Sequence, residues 1–129
     1  MITLKTLTQA TAQEVFDQVA RHLLTQMEKS EDESNCLYRG PRGLKCAAGC
    51  LIGDDEYRYA MDGNDGLEWC KLVESGVAPE THMGLIGNLQ KVHDNYPPEN
   101  WMKNLRIVAL RRKLNEQVLV EFSKRKETE

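Results

Sequence analysis

No apolar run in this sequence approaches the ~20 residues that a membrane-spanning helix requires. The N-terminal stretch, MITLKTLTQATAQEVF, contains one lysine and no apolar segment of signal-peptide length. We therefore expect no membrane association and a cytosolic location. In that reducing compartment the four cysteines are expected to be free thiols rather than a disulfide framework.

The sequence also lacks an excess of basic charge. Its 17 Lys and Arg against 20 Asp and Glu give a net charge of −3, which argues against a protein that coats nucleic acid through its overall field. The chain has 129 residues, 40% of them hydrophobic and 29% charged, so residues 1–129 are expected to form a single domain. We expect residues 1–8 and 123–129 to be frayed.

A second closely spaced cysteine pair is missing. Structural zinc sites use cysteine pairs separated by about two to four positions, and only Cys46 and Cys50 meet that spacing. Cys36 and Cys70 each stand alone. Because Cys46 and Cys50 lie among alanine and glycine, we predict that they pack as small buried side chains. We predict no bound metal and no cofactor.

Helical periodicity accounts for most of what is present. Thr11 and Glu14 match the capping box of a helix start. Apolar residues then recur at three- and four-residue steps, which predicts one buried helix face. The residues predicted to form that face are Val15, Phe16, Val19, Leu23, Leu24 and Met27.

Turn and proline signals divide the rest of the chain into further helices. Gly63–Gly66 is a dense turn signal, and Gly76 is placed to end the short helix that follows it. A longer helix is predicted to begin at Pro79 and to end before Pro97–Pro98, where another begins. The apolar phase shifts around Leu114–Asn115, which indicates either a separate last helix or a bent continuation; we favour the bend.

The stretch from Cys36 to Tyr57 differs from this helical pattern. Two short runs with strand-forming residues, 36–39 and 44–46, flank Gly40–Gly43, which is typical of a β-hairpin. The small residues around Gly49 are expected to let a neighbouring backbone approach closely. We predict a mostly α (α+β) domain with four or five helices around one small two-stranded β-hairpin, which packs on the first helix.

The sequence contains the parts of a thiol-based active site but no complete motif. A cysteine nucleophile needs a base that the fold brings near it, and that base needs an orienting group. The candidate nucleophiles are Cys46 and Cys50, the candidate bases are His93 and His82, and the candidate orienting acids are Asp94 and Asp55. Alternatively, His93 caps carbonyl groups at a helix C-terminus.

Charged residues in two places are candidates for binding. Arg39 and Arg42, at the predicted hairpin tip, are able to grip an anion, and Asp54 and Asp55 either cap a helical turn or face solvent. The segment from 101 to 113 is locally basic and has no acidic residue. Its Lys103, Arg106 and Arg111 are the candidate contacts to nucleic acid phosphates, with Trp101 either stacked on a base or packed inside.

Two parts of the sequence resemble a known family. The pattern YRG-P-x-G-LKCA-x-GCLI is followed by an acidic pair and Tyr57, and further on by LQKVHD and a Pro-Pro-x-x-Trp helix start. This pattern resembles a family of small uncharacterised proteins encoded by tailed bacteriophages and prophages, over roughly residues 11–114 of this chain. The resemblance implies a setting, the cytoplasm of a bacterial host cell. It carries no activity or site residue that can be transferred.

These observations lead to three hypotheses of function. The first is a phage-type accessory protein that binds a bacterial host protein or small ligand without catalysis, for host takeover or counter-defence. The second is a small thiol- or metal-dependent enzyme. The third is a nucleic-acid-binding protein that uses the basic helix 101–113.

Overall fold

The structure is a computed structural model that describes residues 1–33, 35–62 and 68–128. These residues form five α-helices: α1 (Ala12–Gln26), α2 (Trp69–Glu74), α3 (Met83–Asn95), α4 (Trp101–Arg112) and α5 (Gln117–Thr128). Short 3₁₀ turns lie at Leu7–Gln9, Pro41–Gly43, Ala48–Leu51, Tyr59–Asp62 and Pro98–Asn100. The prediction of a mostly helical domain with four or five helices is confirmed.

Helix α1 is the centre of the fold, since it packs against α3, α4, α5 and the turn Ala48–Leu51. The predicted capping box is present: the Glu14 amide donates to the Thr11 hydroxyl (3.1 Å), and the Thr11 amide donates to the Glu14 carboxylate (2.8 Å). The buried residues of α1 are Val15, Phe16, Val19, Ala20 and Leu23, while Leu24 and Met27 pack against the core from its edge.

Helix α3 begins later than its sequence predicts. His82 precedes it with a left-handed backbone (φ 60°), so the segment from Pro79 to His82 is not helical and α3 starts at Met83. Its C-terminal end agrees with the prediction, because Tyr96 is extended before the two prolines.

The predicted bend after α4 is instead a break between two helices. Lys113 adopts a left-handed conformation (φ 57°), and its amide donates back to carbonyl groups of α4. The next three residues are not helical, and α5 then packs on α1. At the end of α2, Gly76 has the predicted left-handed conformation (φ 80°). The predicted turn at 63–66 lies outside the described residues.

The predicted β-hairpin is wrong: the described residues contain no strand, and their one isolated bridge joins Glu31 to Cys36. Backbone amides that would pair two strands of a hairpin donate to side chains instead. The Tyr38 and Arg39 amides donate to the Asp62 carboxylate (2.8 and 3.1 Å), and the Lys45 amide donates to the Gln26 side chain (3.0 Å). The sequence pattern shows the turn residues but not these distant acceptors.

Gly49 brings two backbone segments together in the centre of the domain. A Cβ atom added there would lie 2.4 Å from the Tyr38 carbonyl oxygen and 3.1 Å from the Tyr38 Cα atom. The turn that contains Gly49 packs on α1 and α3, and its Leu51 is completely buried. The expected close backbone approach is therefore present even though the hairpin is absent.

The apolar side chains form one continuous core, which is consistent with a single compact domain. Leu7 is completely buried, and Ile2 exchanges hydrogen bonds with Gln18 of α1 (2.7 and 2.9 Å). Fraying of residues 1–8 and 123–129 stays a prediction. Among the described helices, none has the length and apolar character needed to span a bilayer.

We predict that Gly49→Ala destabilises the domain by roughly 1–3 kcal/mol, because its methyl group must displace the Tyr38 backbone. The matched control is Gly87→Ala in α3, where an added Cβ meets no atom within 4 Å. This control is expected to raise stability by about 0.5–1 kcal/mol, since alanine has the higher helix propensity. Urea denaturation of both variants measures the difference. Equal effects at the two positions would contradict the close packing at Gly49.

Candidate functional site

A cleft of about 510 Å³ lies between α2, α3 and the segments around Cys36, Cys46 and Asp62. Helix α3 forms one wall, because its Met83, Gly87, Gln90, Lys91 and Asp94 share one helical face. The other lining residues are Asn35, Cys36, Tyr38, Cys46, Asp62, Glu68, Trp69 and Cys70.

Gly87 and Trp69 are two unusual positions in the cleft wall. Gly87 faces open space, so the wall of α3 is recessed at that position. Trp69 is only 5% exposed, and its indole N–H has no hydrogen-bond partner among the described residues. A buried donor without a partner is costly, which makes Trp69 notable in the wall of an open cleft.

His93 lies behind the cleft and is completely buried. The Ser30 backbone N–H donates to His93 Nε2 (2.9 Å), and His93 Nδ1 lies 2.7 Å from Asp94 Oδ1. A backbone N–H can only donate, so Nε2 is the acceptor and Nδ1 carries the proton. The geometry thus defines a neutral imidazole that donates from Nδ1 to Asp94.

Asp94 collects further donors on the cleft side. The Gln90 side-chain amide donates to it (2.7 Å), and the Cys36 thiol is hydrogen-bonded to the same carboxylate. Burial by itself raises the pKa of Asp94, but the hydrogen bonds from His93 and Cys36 outweigh it, so its pKa is lowered from the ordinary value of an aspartate. Asp94 is therefore a stable carboxylate at neutral pH.

Cys36, His93 and Asp94 form a cluster whose potential ligand atoms lie within 4.8 Å of one another. The sequence does not predict this cluster. Burial, followed by the bond to Asp94, raises the pKa of the Cys36 thiol to about 12, so the sulfur stays protonated. A metal on His93 Nδ1 would require a proton on Nε2, which would then face the Ser30 N–H. The hydrogen bonds of the cluster therefore do not suit a metal site.

The predicted catalytic residues are not brought together as a nucleophile and base. Cys46 accepts a hydrogen bond from the Gly49 amide (3.3 Å), and Cys50 donates to the Ala47 carbonyl (3.1 Å). Burial raises the pKa of Cys46, and it raises the pKa of Cys50 to about 12. Both nitrogens of His93 are occupied by Ser30 and Asp94.

His82 and Asp55, the alternative base and orienting acid, also make contacts away from the cysteines. His82 Nε2 donates to the Ala10 carbonyl (2.7 Å), and Asp55 forms an exposed ion pair with Lys5 (3.4 Å). Neither residue lines the cleft. Nothing in the sequence marks Ser30 as the partner of His93, since 63 positions separate them.

The Arg39 guanidinium is bonded within the protein and is not free to bind an anion. Its guanidinium donates to the carbonyl groups of Gly49 (2.8 Å) and Ile52 (2.7 Å) and pairs with Asp54 (3.1 Å). It also lies over the Tyr57 ring at 5.2 Å. By contrast, Arg42 is exposed and pairs with Glu28.

The basic helix has an exposed face and a buried tryptophan. Lys103, Arg106 and Arg111 of α4 are all exposed. Trp101 is completely buried, stacks on His93 with ring centres 5.5 Å apart, and donates to the Tyr96 carbonyl (3.0 Å). Of the two alternatives for Trp101, packing inside is the one found.

Comparison with known proteins gives no match: no family model, curated protein or solved structure is significantly similar to this chain. The resemblance to phage proteins therefore remains a hypothesis.

We predict that the purified protein holds no stoichiometric zinc and that a chelator leaves its melting curve unchanged. The reason is that zinc on His93 Nδ1 would leave a proton on Nε2, where it would point at the Ser30 N–H. Zinc binding would therefore cost the hydrogen bond from Ser30, and metal binding would not be coupled to folding. Elemental analysis and thermal melts with and without chelator measure this. About one zinc per chain, lost on chelation together with the fold, would contradict the assigned proton position.

Asp94 makes the free energy of unfolding depend on pH, and its lowered pKa determines the sign of that dependence. Its pKa is lowered in the folded state, so the unfolded chain binds the proton more readily. The ionised Asp94 carboxylate stabilises the fold fully when the pH is above the pKa of an unfolded aspartate, about 3.9. This stabilisation is lost as the pH falls through the lower pKa of Asp94 in the folded state. We predict that Asp94→Asn loses less unfolding free energy than the wild type on acidification below about pH 4. Parallel loss in both proteins, measured by urea titration at each pH, would contradict this.

Proposed function

We propose that this protein is a non-catalytic binding protein that holds a small organic cation in the cleft between α2 and α3. One observation carries the proposal: the cleft is open, but its reactive groups are already engaged within the protein. His93 is bonded through both nitrogens, and the Cys36 thiol is protonated and bonded to Asp94. Such groups shape and charge a binding site but do not supply a nucleophile and a free base.

The charge of the lining favours a cation. Among the lining residues that the structure describes, the carboxylates of Asp62, Glu68 and Asp94 outnumber the single cationic side chain, Lys91. Glu68 is exposed, and its carboxylate accepts a 3.5 Å hydrogen bond from the Cys70 thiol. A ligand ammonium group would find an acceptor at Glu68, and the aromatic wall supplied by Trp69 and Tyr38 suits a cation as well.

The biological setting is proposed from the sequence resemblance. In this hypothesis the protein is a phage-type accessory factor that works in the cytoplasm of a bacterial host, in host takeover or counter-defence. Removing a small host metabolite from solution would be a non-catalytic way to act there. A host protein is the other partner class that the sequence predicts.

The test uses calorimetric titration of the full chain with agmatine, putrescine and choline, and with glutarate as an anionic counterpart. We predict that at least one cation binds and that glutarate does not. Glu68→Gln is expected to weaken binding by about tenfold through loss of one charged hydrogen bond. Gly87→Phe should abolish binding because its ring fills the cleft, whereas Gly87→Ala is the matched control with a small side chain.

Thermal melts of the same variants separate loss of binding from loss of fold. Tight binding of glutarate alone, or cation binding that Gly87→Phe leaves unchanged, would contradict the proposal. Turnover of a bound cation by the wild type would contradict the absence of catalysis.

A further inference from the structure

The outer face of α4 exposes apolar side chains within a basic surface. Leu110 is 77% exposed and Ile107 is 37% exposed, although both are large hydrophobic residues. Ile107 and Leu110 lie three residues apart on one face of α4, and Leu114 follows just after the helix ends. They line a groove of about 370 Å³, the α4 groove, formed by Arg106, Ile107, Leu110, Leu114, Asn115 and Glu116.

The cations around the α4 groove are not neutralised within the described part of the chain. Lys103 and Arg111 form no ion pair there, and Arg106 donates to the Ser123 hydroxyl (3.3 Å). Helical spacing puts Lys103 on the same face as Leu110, with Arg106 and Arg111 to either side. The whole chain has a net charge of −3, so this surface is opposite in sign to the protein as a whole.

We propose that the α4 groove docks an acidic amphipathic helix of another protein. Its apolar residue would insert between Ile107 and Leu110, where the exposed hydrophobic area lies. Its carboxylates would meet Lys103, Arg106 and Arg111. Helices bind apolar grooves in this manner, and complementary charge fixes their orientation and speeds association. This surface is separate from the cleft, with which it shares no lining residue.

The surface suits a protein better than a nucleic acid. Trp101, the aromatic residue of α4, is completely buried and is bonded to Tyr96, so it is not free to stack on a base. Leu110, the most exposed side chain of the apolar stripe, has nothing to offer a phosphate backbone. A partner with both apolar and acidic groups uses the whole surface.

The probe is a fluorescent synthetic peptide of about 18 residues, long enough to be helical, with glutamates flanking a leucine stripe. A second peptide carries lysine in place of each glutamate. Fluorescence anisotropy with the full chain is expected to show binding of the acidic peptide, weakening as salt screens the charges. Leu110→Ser and Arg111→Glu should each weaken binding by about tenfold or more.

The control is Val77→Ser, which removes an exposed apolar side chain (44%) from the loop between α2 and α3. It should leave the affinity unchanged, and melting curves should show that all variants fold. Four results would overturn the proposal: no binding of the acidic peptide, equal binding of both peptides, duplex DNA or RNA binding that is lost in Arg111→Glu but kept in Leu110→Ser, or self-association of the free chain that Leu110→Ser abolishes.

Discussion

The hydrogen bond from the Ser30 N–H to His93 Nε2 is the interaction on which the cleft depends. It crosses from the segment after α1 to the end of α3, and it fixes the proton of a buried imidazole on Nδ1. That proton binds Asp94, which in turn holds Gln90 and Cys36 at the cleft wall. Because the Trp101 ring stacks on the His93 ring, His93 also joins α3 to the start of α4. The Ser30 amide thus sets the tautomer of His93 and, through it, the hydrogen bonds that Asp94 accepts.

A second constraint organises the central stretch. Asp62 accepts the amides of Tyr38 and Arg39 and the Tyr57 hydroxyl (2.7 Å), and Arg39 spans to the carbonyl groups of Gly49 and Ile52. These charged side chains satisfy partly buried backbone groups that regular secondary structure satisfies elsewhere. The stretch is therefore ordered without a sheet. Its Cys36, Tyr38 and Cys46 line the cleft.

The helices could be predicted from local sequence patterns, whereas the candidate site could not. The capping box at Thr11 and the stop at Tyr96 depend on neighbouring residues, so both were predictable from the sequence. The hairpin prediction was wrong because Asp62 and Gln26, distant in sequence, take the amides that a ladder would need. Cys36 gave no signal of its contact with Asp94, since the fold alone joins them. Arg39 looked like an exposed binding group, but its carbonyl partners are set by the turn at Ala48–Leu51 and the residues after it.

The hydrogen bonds of His93 hold it as a neutral ring, which makes it part of the scaffold of the proposed binding site. Long-range ¹H–¹⁵N correlation NMR of the His93 imidazole tests this most directly, because it identifies which ring nitrogen carries the proton. We expect a protonated Nδ1 and a bare Nε2 that is coupled through its hydrogen bond to the Ser30 amide. A protonated Nε2 with a bare Nδ1 would contradict this assignment, since a bare Nδ1 could bind a metal or take a proton from the nearby Cys36 thiol.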